Sequence, residues 1–200
     1  MRSSNVRWAT WVVAAGLTVG CSPTSPASDT STTRTERDIE QGSPPSTVIP
    51  CSGSDAAQAD VAEVRRAVES GPLFQAVSDS SAATSCAATR DGKTVTLDYQ
   101  FRDGSSLRAT RDPVIEYTEL TARLTSPPAQ EPVEIMQRVE RAAFSPDGCG
   151  IDWKTSQEQR PTDDPRATDR VYRGDTCNCQ AVVRTDATAR VAGLTFRSAC

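Results

Sequence analysis

The sequence predicts an α+β domain over residues 51–200, with two helices packed on antiparallel sheet and cross-linked by disulfides. Three observations lead to this class: two segments carry apolar residues at helical spacing, others alternate between polar and apolar residues, and six cysteines lie in this range. The predicted order of elements is α-β-β-(β)-α-β-β-β, in which the bracketed strand is the ambiguous one. Because each helix precedes a group of strands, we expect the helices to cover one face of the sheet.

The first predicted helix runs from about Asp55 to Ser70. Its apolar side chains recur at helical spacing: Val61, Val64 and Val68. Gly71-Pro72 should end this helix, because glycine favours helix C-termini and proline cannot continue the helix. A short extra turn should follow, built on the apolar residues Leu73, Phe74 and Val77.

The clearest predicted strand covers residues 94–101, where apolar and polar residues alternate with a period of two. Asp91-Gly92 precedes this strand and Asp103-Gly104 follows it. Because Asp-Gly between such segments is a strong hairpin signal, a second strand is predicted over Ser106–Arg111. The next segment, Val114–Leu124, fits a helix as well as a strand, and the β-branched and aromatic residues in its first half favour a strand.

The second predicted helix covers residues 131–144, with Pro132 in its first turn. Its buried stripe should contain Val133, Met136, Val139 and Ala143. A short strand is predicted over Cys149–Lys154, with Ile151 and Trp153 on one face. Residues 155–170 are polar and contain two prolines, so a long exposed loop is expected there.

The last segment predicts a hairpin in which Val183 faces Leu194 and Ala181 faces Phe196, with a loop over Ala187–Arg190. A slip by one residue would turn the large apolar side chains to the other face. The same register places Cys177 opposite Cys200, within reach of a disulfide, and Cys179 opposite Ser198.

The remaining cysteine pairs follow from this hairpin. Cys179 should join Cys149, because the strand that contains Cys149 must lie near the hairpin to bury Ile151 and Trp153. Cys51 and Cys86 then form the third pair. A redox or thiolate metal site at Cys177-Asn178-Cys179 is the alternative, but a reactive dithiol needs a setting that stabilises thiolates, such as a helix N-terminus.

The N-terminal segment is typical of an export signal. Arg2 and Arg7 are followed by an apolar segment, Trp8–Val19, and then by Gly20-Cys21. This ending resembles the lipobox of bacterial lipoproteins, although Thr18 stands where that family usually has leucine. The resemblance implies that residues 1–20 are a signal peptide, that cleavage follows Gly20, and that Cys21 carries a thioether-linked lipid.

Residues 21–50 follow as a segment rich in Ser, Thr, Pro and charge. Such a segment buries too little apolar surface to fold, so we expect a disordered tether. The apolar segment of the signal is too short to span a bilayer, and the mature protein should be held to the membrane by its lipid. With Cys21 lipidated, six cysteines remain, which is an even number suited to three disulfides in an oxidising compartment.

Composition excludes several kinds of chemistry. The chain has no histidine, so neither a Ser-His-Asp triad nor a histidine-ligated metal is possible in it. The net charge is −4, and because residues 1–20 carry two arginines and no acid, the chain without them has a net charge of −6. An acidic chain without a basic cluster is a poor nucleic-acid binder. We expect no cofactor and no metal site.

The remaining motifs carry little chemical information. The candidate carboxylates for a glycosidase-like pair are Asp98, Glu116, Glu119, Asp147, Asp152, Asp163 and Asp164. Such a pair needs two carboxyl groups facing each other across a cleft, whereas solvated acids are common on any acidic surface. Arg173-Gly174-Asp175 matches the integrin-binding tripeptide, but three residues are a weak signal.

The expected function is that of a non-catalytic binding module in the cell envelope, anchored through the lipid on Cys21, with another envelope protein as partner. In a cell with two membranes, Ser22 after the lipidated cysteine implies an outer-membrane protein that faces the periplasm; otherwise the outer face of the plasma membrane is expected. The alternatives are an inhibitor of a secreted lysozyme or protease and an enzyme that uses carboxylates alone. An inhibitor should present a rigid projecting loop, for which residues 155–170 are the only long candidate, and an enzyme should show a cleft with converging carboxylates of perturbed pKa. A binding module should show neither feature, only an exposed apolar patch.

Overall fold

The computed structural model describes residues 50–144 and 148–200. The predicted signal peptide over residues 1–20, the predicted lipidation site Cys21 and the predicted tether up to residue 49 lie outside the described residues, as does the candidate carboxylate Asp147. These expectations therefore stay predictions.

In the described part of the chain, nine strands form one mixed sheet and three helices accompany it. The strands are β1 (Cys51–Ser52), β2 (Ala83–Asp91), β3 (Thr94–Phe101), β4 (Ser106–Asp112), β5 (Tyr117–Arg123), β6 (Gln157–Gln159), β7 (Thr168–Arg173), β8 (Gln180–Thr185) and β9 (Val191–Ala199). The helices are α1 (Ala59–Glu69), α2 (Pro72–Ser78) and α3 (Pro132–Ala143). The order across the sheet is β1-β2-β3-β4-β5-β9-β8-β7-β6, and β1 is parallel to β2 while the other neighbours are antiparallel. The predicted α+β class is correct, and strands outweigh helices more than the sequence indicates.

The two faces of the sheet differ in character. One continuous row of directly paired residues is apolar and contains Ala88, Leu97, Ala109, Leu120, Phe196, Ala181 and Tyr172. Six of these seven side chains are buried, and the helices contribute Val61, Leu73, Ile135 and Met136 to the same core. The neighbouring row on the other face is polar and contains Asp98, Arg108, Thr121 and Thr195. The core therefore lies on the helix side of the sheet.

The strands predicted between residues 94 and 124 are confirmed as β3, β4 and β5, and Val114–Leu124 contains a strand rather than a helix. Helix α1 begins at Ala59 instead of Asp55, because Asp55 and Gln58 close a turn in front of it through backbone and side-chain hydrogen bonds. The extra turn after Gly71 is a separate helix, α2, so the prediction of two helices was wrong by one.

The sequence did not predict strand β2, because the composition of this strand gives only a weak strand signal. Its sequence is mostly Ala, Ser and Thr, and only Cys86 and Ala88 are buried. Small residues give a weak strand signal when they do not alternate with large apolar ones. The partner strand β3 supplies the large side chains, and β2 completes the sheet beside it.

The prediction for residues 149–170 was wrong in two respects. Cys149–Lys154 is not a strand, since only an isolated bridge joins Ile151 to Gly174. The expected long loop instead contains β6, which pairs with β7. All three β6 residues are exposed at the edge of the sheet, so no apolar alternation marks them in the sequence.

The C-terminal hairpin has the predicted register, with Val183 opposite Leu194 and Ala181 opposite Phe196. Strand β8 begins at Gln180, so Cys179 lies before the strand and its expected pairing with Ser198 does not form. The structure contains disulfides between Cys51 and Cys86, Cys149 and Cys179, and Cys177 and Cys200, the same three pairs that the sequence predicts. None of the helices within the described residues is long and apolar enough to cross a membrane.

Candidate functional site

The strongest candidate site is the turn between β4 and β5, residues 112–116, here called the β4–β5 tip. Val114 is 69 % exposed and Ile115 is 61 % exposed, and they are the exposed large hydrophobic side chains of the described residues. Single exposed apolar residues are ordinary, but two adjacent ones at the end of a hairpin form a projecting apolar surface.

Asp112 braces this tip through three hydrogen bonds. One carboxylate oxygen accepts hydrogen bonds from the backbone N–H of Val114 at 2.9 Å and of Ile115 at 3.4 Å, and the other accepts from the Thr94 hydroxyl at 2.7 Å. The Thr94 hydroxyl and these two amides lower the pKa of Asp112 below its usual value. The tip is therefore tied both to itself and to the start of β3.

The tip also carries backbone strain. Glu116 has φ of 48°, in the left-handed region that non-glycine residues rarely adopt. Such conformations persist only where surrounding interactions hold them, and here Asp112 precedes the turn while the Asp112–Tyr117 pair closes it.

An ordered polar cluster lies next to the tip on the open face of the sheet. The Tyr117 hydroxyl donates a hydrogen bond to Glu119, which also accepts from Arg197 at 2.8 Å. Burial raises the pKa of Glu119, but the hydrogen bonds from Arg197 and Tyr117 outweigh burial and leave this pKa below its usual value. Burial and Glu119 together raise the pKa of Tyr117. This cluster stays charged and fixed beside the apolar tip.

The tip lies at one end of the sheet, and the chain enters the sheet from the direction of the other end. Asp112 follows Arg111, which pairs with Val95 near the start of β3. Strand β1 runs parallel to β2, whose first residue, Ala83, pairs with Phe101 at the end of β3. Pro50 therefore precedes β1 on the side that faces away from the tip.

Two cavities among the described residues flank strand β6. One of about 240 Å³ is lined by Glu158, Gln159, Arg160 and Thr168, and the other of about 150 Å³ by Asp152, Thr155, Gln157, Val171 and Arg173. Each cavity is lined by a single carboxylate, whereas a glycosidase-like mechanism uses two.

The carboxylates that the sequence singles out are engaged separately. Asp98 accepts from Arg108 at 2.7 Å, Glu119 from Arg197, and Asp163 from Arg184 at 3.0 Å. Asp152 and Asp164 accept hydrogen bonds from nearby backbone amides, and Glu116 is exposed at the tip. Across the described residues, the structure groups no three His, Cys, Asp or Glu side chains in a way that could hold a metal ion.

The two other motifs of the sequence, Cys177-Asn178-Cys179 and Arg173-Gly174-Asp175, have structural roles. Cys177 and Cys179 belong to different disulfides, so they do not form a dithiol. Gly174, in the middle of Arg173-Gly174-Asp175, packs against the backbone of Cys149, where a Cβ atom would lie 2.6 Å from the carbonyl oxygen. This tripeptide is therefore part of a tight backbone contact rather than a free loop.

Sequence reasoning missed Glu140, the only buried carboxylate of the described residues at 6 % exposure. It accepts hydrogen bonds from the amides of Cys149 at 2.9 Å and Ile151 at 3.2 Å and from the indole N–H of Trp153 at 2.8 Å. The sequence does contain a signal for the burial of Glu140, because this acid lies one helical turn after buried Met136 and directly after buried Val139. Glu140 holds residues 148–153 against α3 in place of the predicted strand.

Comparison with protein-family models, with curated proteins and with solved structures found no significant match.

Proposed function

We propose that this protein is a non-catalytic binding module of the cell envelope, anchored through a lipid on Cys21, and that it binds another envelope protein through the β4–β5 tip. The observation that carries the proposal is the pair Val114 and Ile115, exposed on a turn that Asp112 braces with hydrogen bonds.

The energetics favour a binding role for the tip. Burying a valine or isoleucine side chain stabilises a complex by roughly 1.5–3 kcal/mol relative to full exposure, and these two are about two-thirds exposed. A turn already fixed by hydrogen bonds loses little conformational freedom when it binds. Tyr117 and Arg197 beside the tip are of the residue types that dominate interface energetics.

The charges around the tip favour a protein partner over a lipid surface. Asp112 and Glu116 flank the two apolar residues, and the cations Arg111 and Arg197 lie next to residues 112–116 rather than within them. Anionic headgroups would repel these carboxylates, whereas an apolar pocket with a basic rim would complement them. Because the chain enters from the other end of the sheet, the tip projects away from the side where the proposed tether joins.

Inhibition of a secreted lysozyme or protease is the second candidate. The same bracing by Asp112 favours it, because a preformed projecting loop loses less conformational entropy on entering a cleft than a flexible loop does. Assays of the purified protein against lysozymes and proteases of several classes distinguish the two: inhibition that disappears in the Val114→Ser, Ile115→Ser variant would assign the tip to an enzyme cleft.

Site-specific photocrosslinking in the native envelope tests the main proposal. A photoreactive residue at Val114 should give one discrete protein adduct, and the same residue at Ala187, on the exposed turn between β8 and β9, is the matched control. The adduct should disappear with Ile115→Ser and persist with Ala187→Ser. Equal crosslinking from both positions, or adducts with lipid alone, would contradict a protein-binding tip.

A further inference from the structure

The three disulfides differ in their access to solvent. Cys149 is 1 % exposed, Cys179 is 2 % exposed and Cys86 is 2 % exposed, so two of the disulfides have at least one sulfur in the core. Cys177 is half-buried and Cys200 is exposed. The Cys177–Cys200 disulfide is therefore the one that a thiol in solution can reach at both residues.

The backbone around this disulfide is also unusual. Cys177 has φ of 54° and Asn178 has φ of 44°, so two consecutive non-glycine residues adopt the left-handed conformation. L-amino acids disfavour this conformation, and asparagine tolerates it better than most. The Cys179 amide donates a hydrogen bond to the Thr176 carbonyl at 3.2 Å, so residues 176–179 form a turn that holds this conformation and contains one half of the disulfide.

A short chain of contacts joins the disulfide to the β4–β5 tip. The amide of Ala199, next to Cys200, donates a hydrogen bond to the carbonyl of Cys177 at 2.8 Å. Ala199 pairs with Tyr117 at the end of the β5–β9 ladder, and Tyr117 pairs with Asp112 across the tip. The disulfide thus fastens the last residues of β9 beside the strand that leaves the tip.

We propose that Cys177–Cys200 is a thiol–disulfide exchange site for a dithiol reductant and that its reduction loosens the β4–β5 tip while the rest of the sheet stays folded. A thiolate of the reductant attacks the sulfur of the exposed Cys200, and Cys177 leaves as a thiolate that takes up a proton. The second thiol of the reductant then attacks the mixed disulfide, so that Cys200 is released as a thiol. The reductant becomes a cyclic disulfide, and two electrons and two protons pass to the protein.

The regulatory meaning of this step rests on the proposed binding role of the tip, but the chemistry does not. Stepwise titration of the oxidised protein with dithiothreitol, followed by alkylation and peptide mapping, should label Cys177 and Cys200 at reductant concentrations at least 10-fold below those that label the other four cysteines. Hydrogen exchange of the same samples should increase at residues 114–119 and stay unchanged at 186–190, on the turn at the other end of the sheet.

Two results would overturn the proposal. One is reduction of all three disulfides together or of another pair first, and the other is unchanged exchange at residues 114–119 after selective reduction. The Cys177→Ser, Cys200→Ser variant provides a second measurement, because it should reproduce the faster exchange without reductant. If exchange changes as expected but the photocrosslinked adduct at Val114 is absent in every state, the redox site stands and the binding function fails.

Discussion

The turn between β4 and β5 and the turn between β8 and β9 are built in the same way and carry different surfaces. Each begins with an aspartate that caps its own turn: Asp112 accepts from two following amides, and Asp186 accepts from the amides of Thr188 and Arg190. Each also contains one non-glycine residue with positive φ, Glu116 at 48° and Ala189 at 61°. Yet the first presents Val114 and Ile115, whereas residues 187–190 are small or polar.

The residues that form a turn differ from the residues that form a binding surface. An aspartate cap and one left-handed residue suffice to reverse the chain, as the β8–β9 turn shows. Two large apolar side chains add nothing to that task and leave apolar surface in water. Their presence on only one of two similarly built turns is the reason to assign a binding role to the β4–β5 tip.

The largest expected effect is a loss of stability at Glu140 that leaves binding through the β4–β5 tip unchanged. Glu140→Gln keeps one acceptor oxygen for the amides of Cys149 and Ile151 but turns an amide NH₂ group toward the indole N–H of Trp153, so it should lower the free energy of unfolding by about 2–3 kcal/mol. Chemical denaturation measures this loss. Both turns should keep their conformation in the folded protein, and crosslinking from Val114 should be unchanged. If the adduct is lost although the variant is fully folded, α3 and the tip are coupled.

Substitutions in the β4–β5 tip should weaken binding to the partner and leave the stability of the fold nearly unchanged. Val114→Ser with Ile115→Ser should weaken partner binding about 10- to 100-fold, equivalent to roughly 1.4–2.8 kcal/mol, and change stability by less than about 0.5 kcal/mol. Ala187→Ser on the other turn should change neither quantity. Binding titrations and thermal unfolding check the pair, and a stability loss above about 1 kcal/mol in the double variant would indicate that the apolar tip serves folding.

Relief of backbone strain should stabilise both turns and affect binding at one. Glu116→Gly and Ala189→Gly each remove a side chain from a left-handed residue, which should raise the free energy of unfolding by up to about 1 kcal/mol. The glycine at position 116 should also weaken binding a few-fold, because the tip becomes more flexible before it binds. Equal binding by both variants would show that the rigidity of the tip is irrelevant.

The smallest effect is a shared response to acid. The pKa of Asp112 is lowered by Thr94 and the following amides, and the pKa of Asp186 is lowered by Thr188 and the amide of Arg190. Because both pKa values are depressed in the fold, this stabilisation is present above the usual aspartate pKa of 3.8 and is lost as the pH falls through the folded values. Protection factors for amide exchange at residues 114–115 and 188–190, taken relative to the intrinsic rate at each pH, should fall together below about pH 4, and Asp112→Asn should abolish the response at the first turn alone.

Asp103 offers a reference point for that titration. Burial raises the pKa of Asp103, but hydrogen bonds from Ser105 and Thr125 outweigh it and lower the pKa to about 2. The turn that Asp103 holds, between β3 and β4, should therefore keep its protection at pH values where part of the population at the other two turns has opened.

The sequence by itself determined the features whose signal is local. Alternation over residues 94–101 specified a strand with one buried face, and the large apolar residues of the last hairpin set its register, because a shift by one would expose Leu194 and Phe196. The same register led to the pairs Cys177–Cys200 and Cys149–Cys179. The even number of cysteines after Cys21 indicated three disulfides from composition alone.

Tertiary structure alone decided the features whose stability comes from a partner. Strands β2 and β6 carry few or no large apolar residues, so neighbouring strands define them rather than their own pattern. Glu140 is tolerated in the core because three donors from the loop that follows α3 converge on it. Val114 and Ile115 belong by sequence to a strand, and they project into solvent because Asp112 reverses the chain before β5 begins. The physical reason for the strands and for Glu140 is that their energies depend on contacts between separate elements that meet only in the folded chain, which composition and periodicity do not encode. The exposure of Val114 and Ile115 depends on the turn that Asp112 forms and on its hydrogen bond from Thr94.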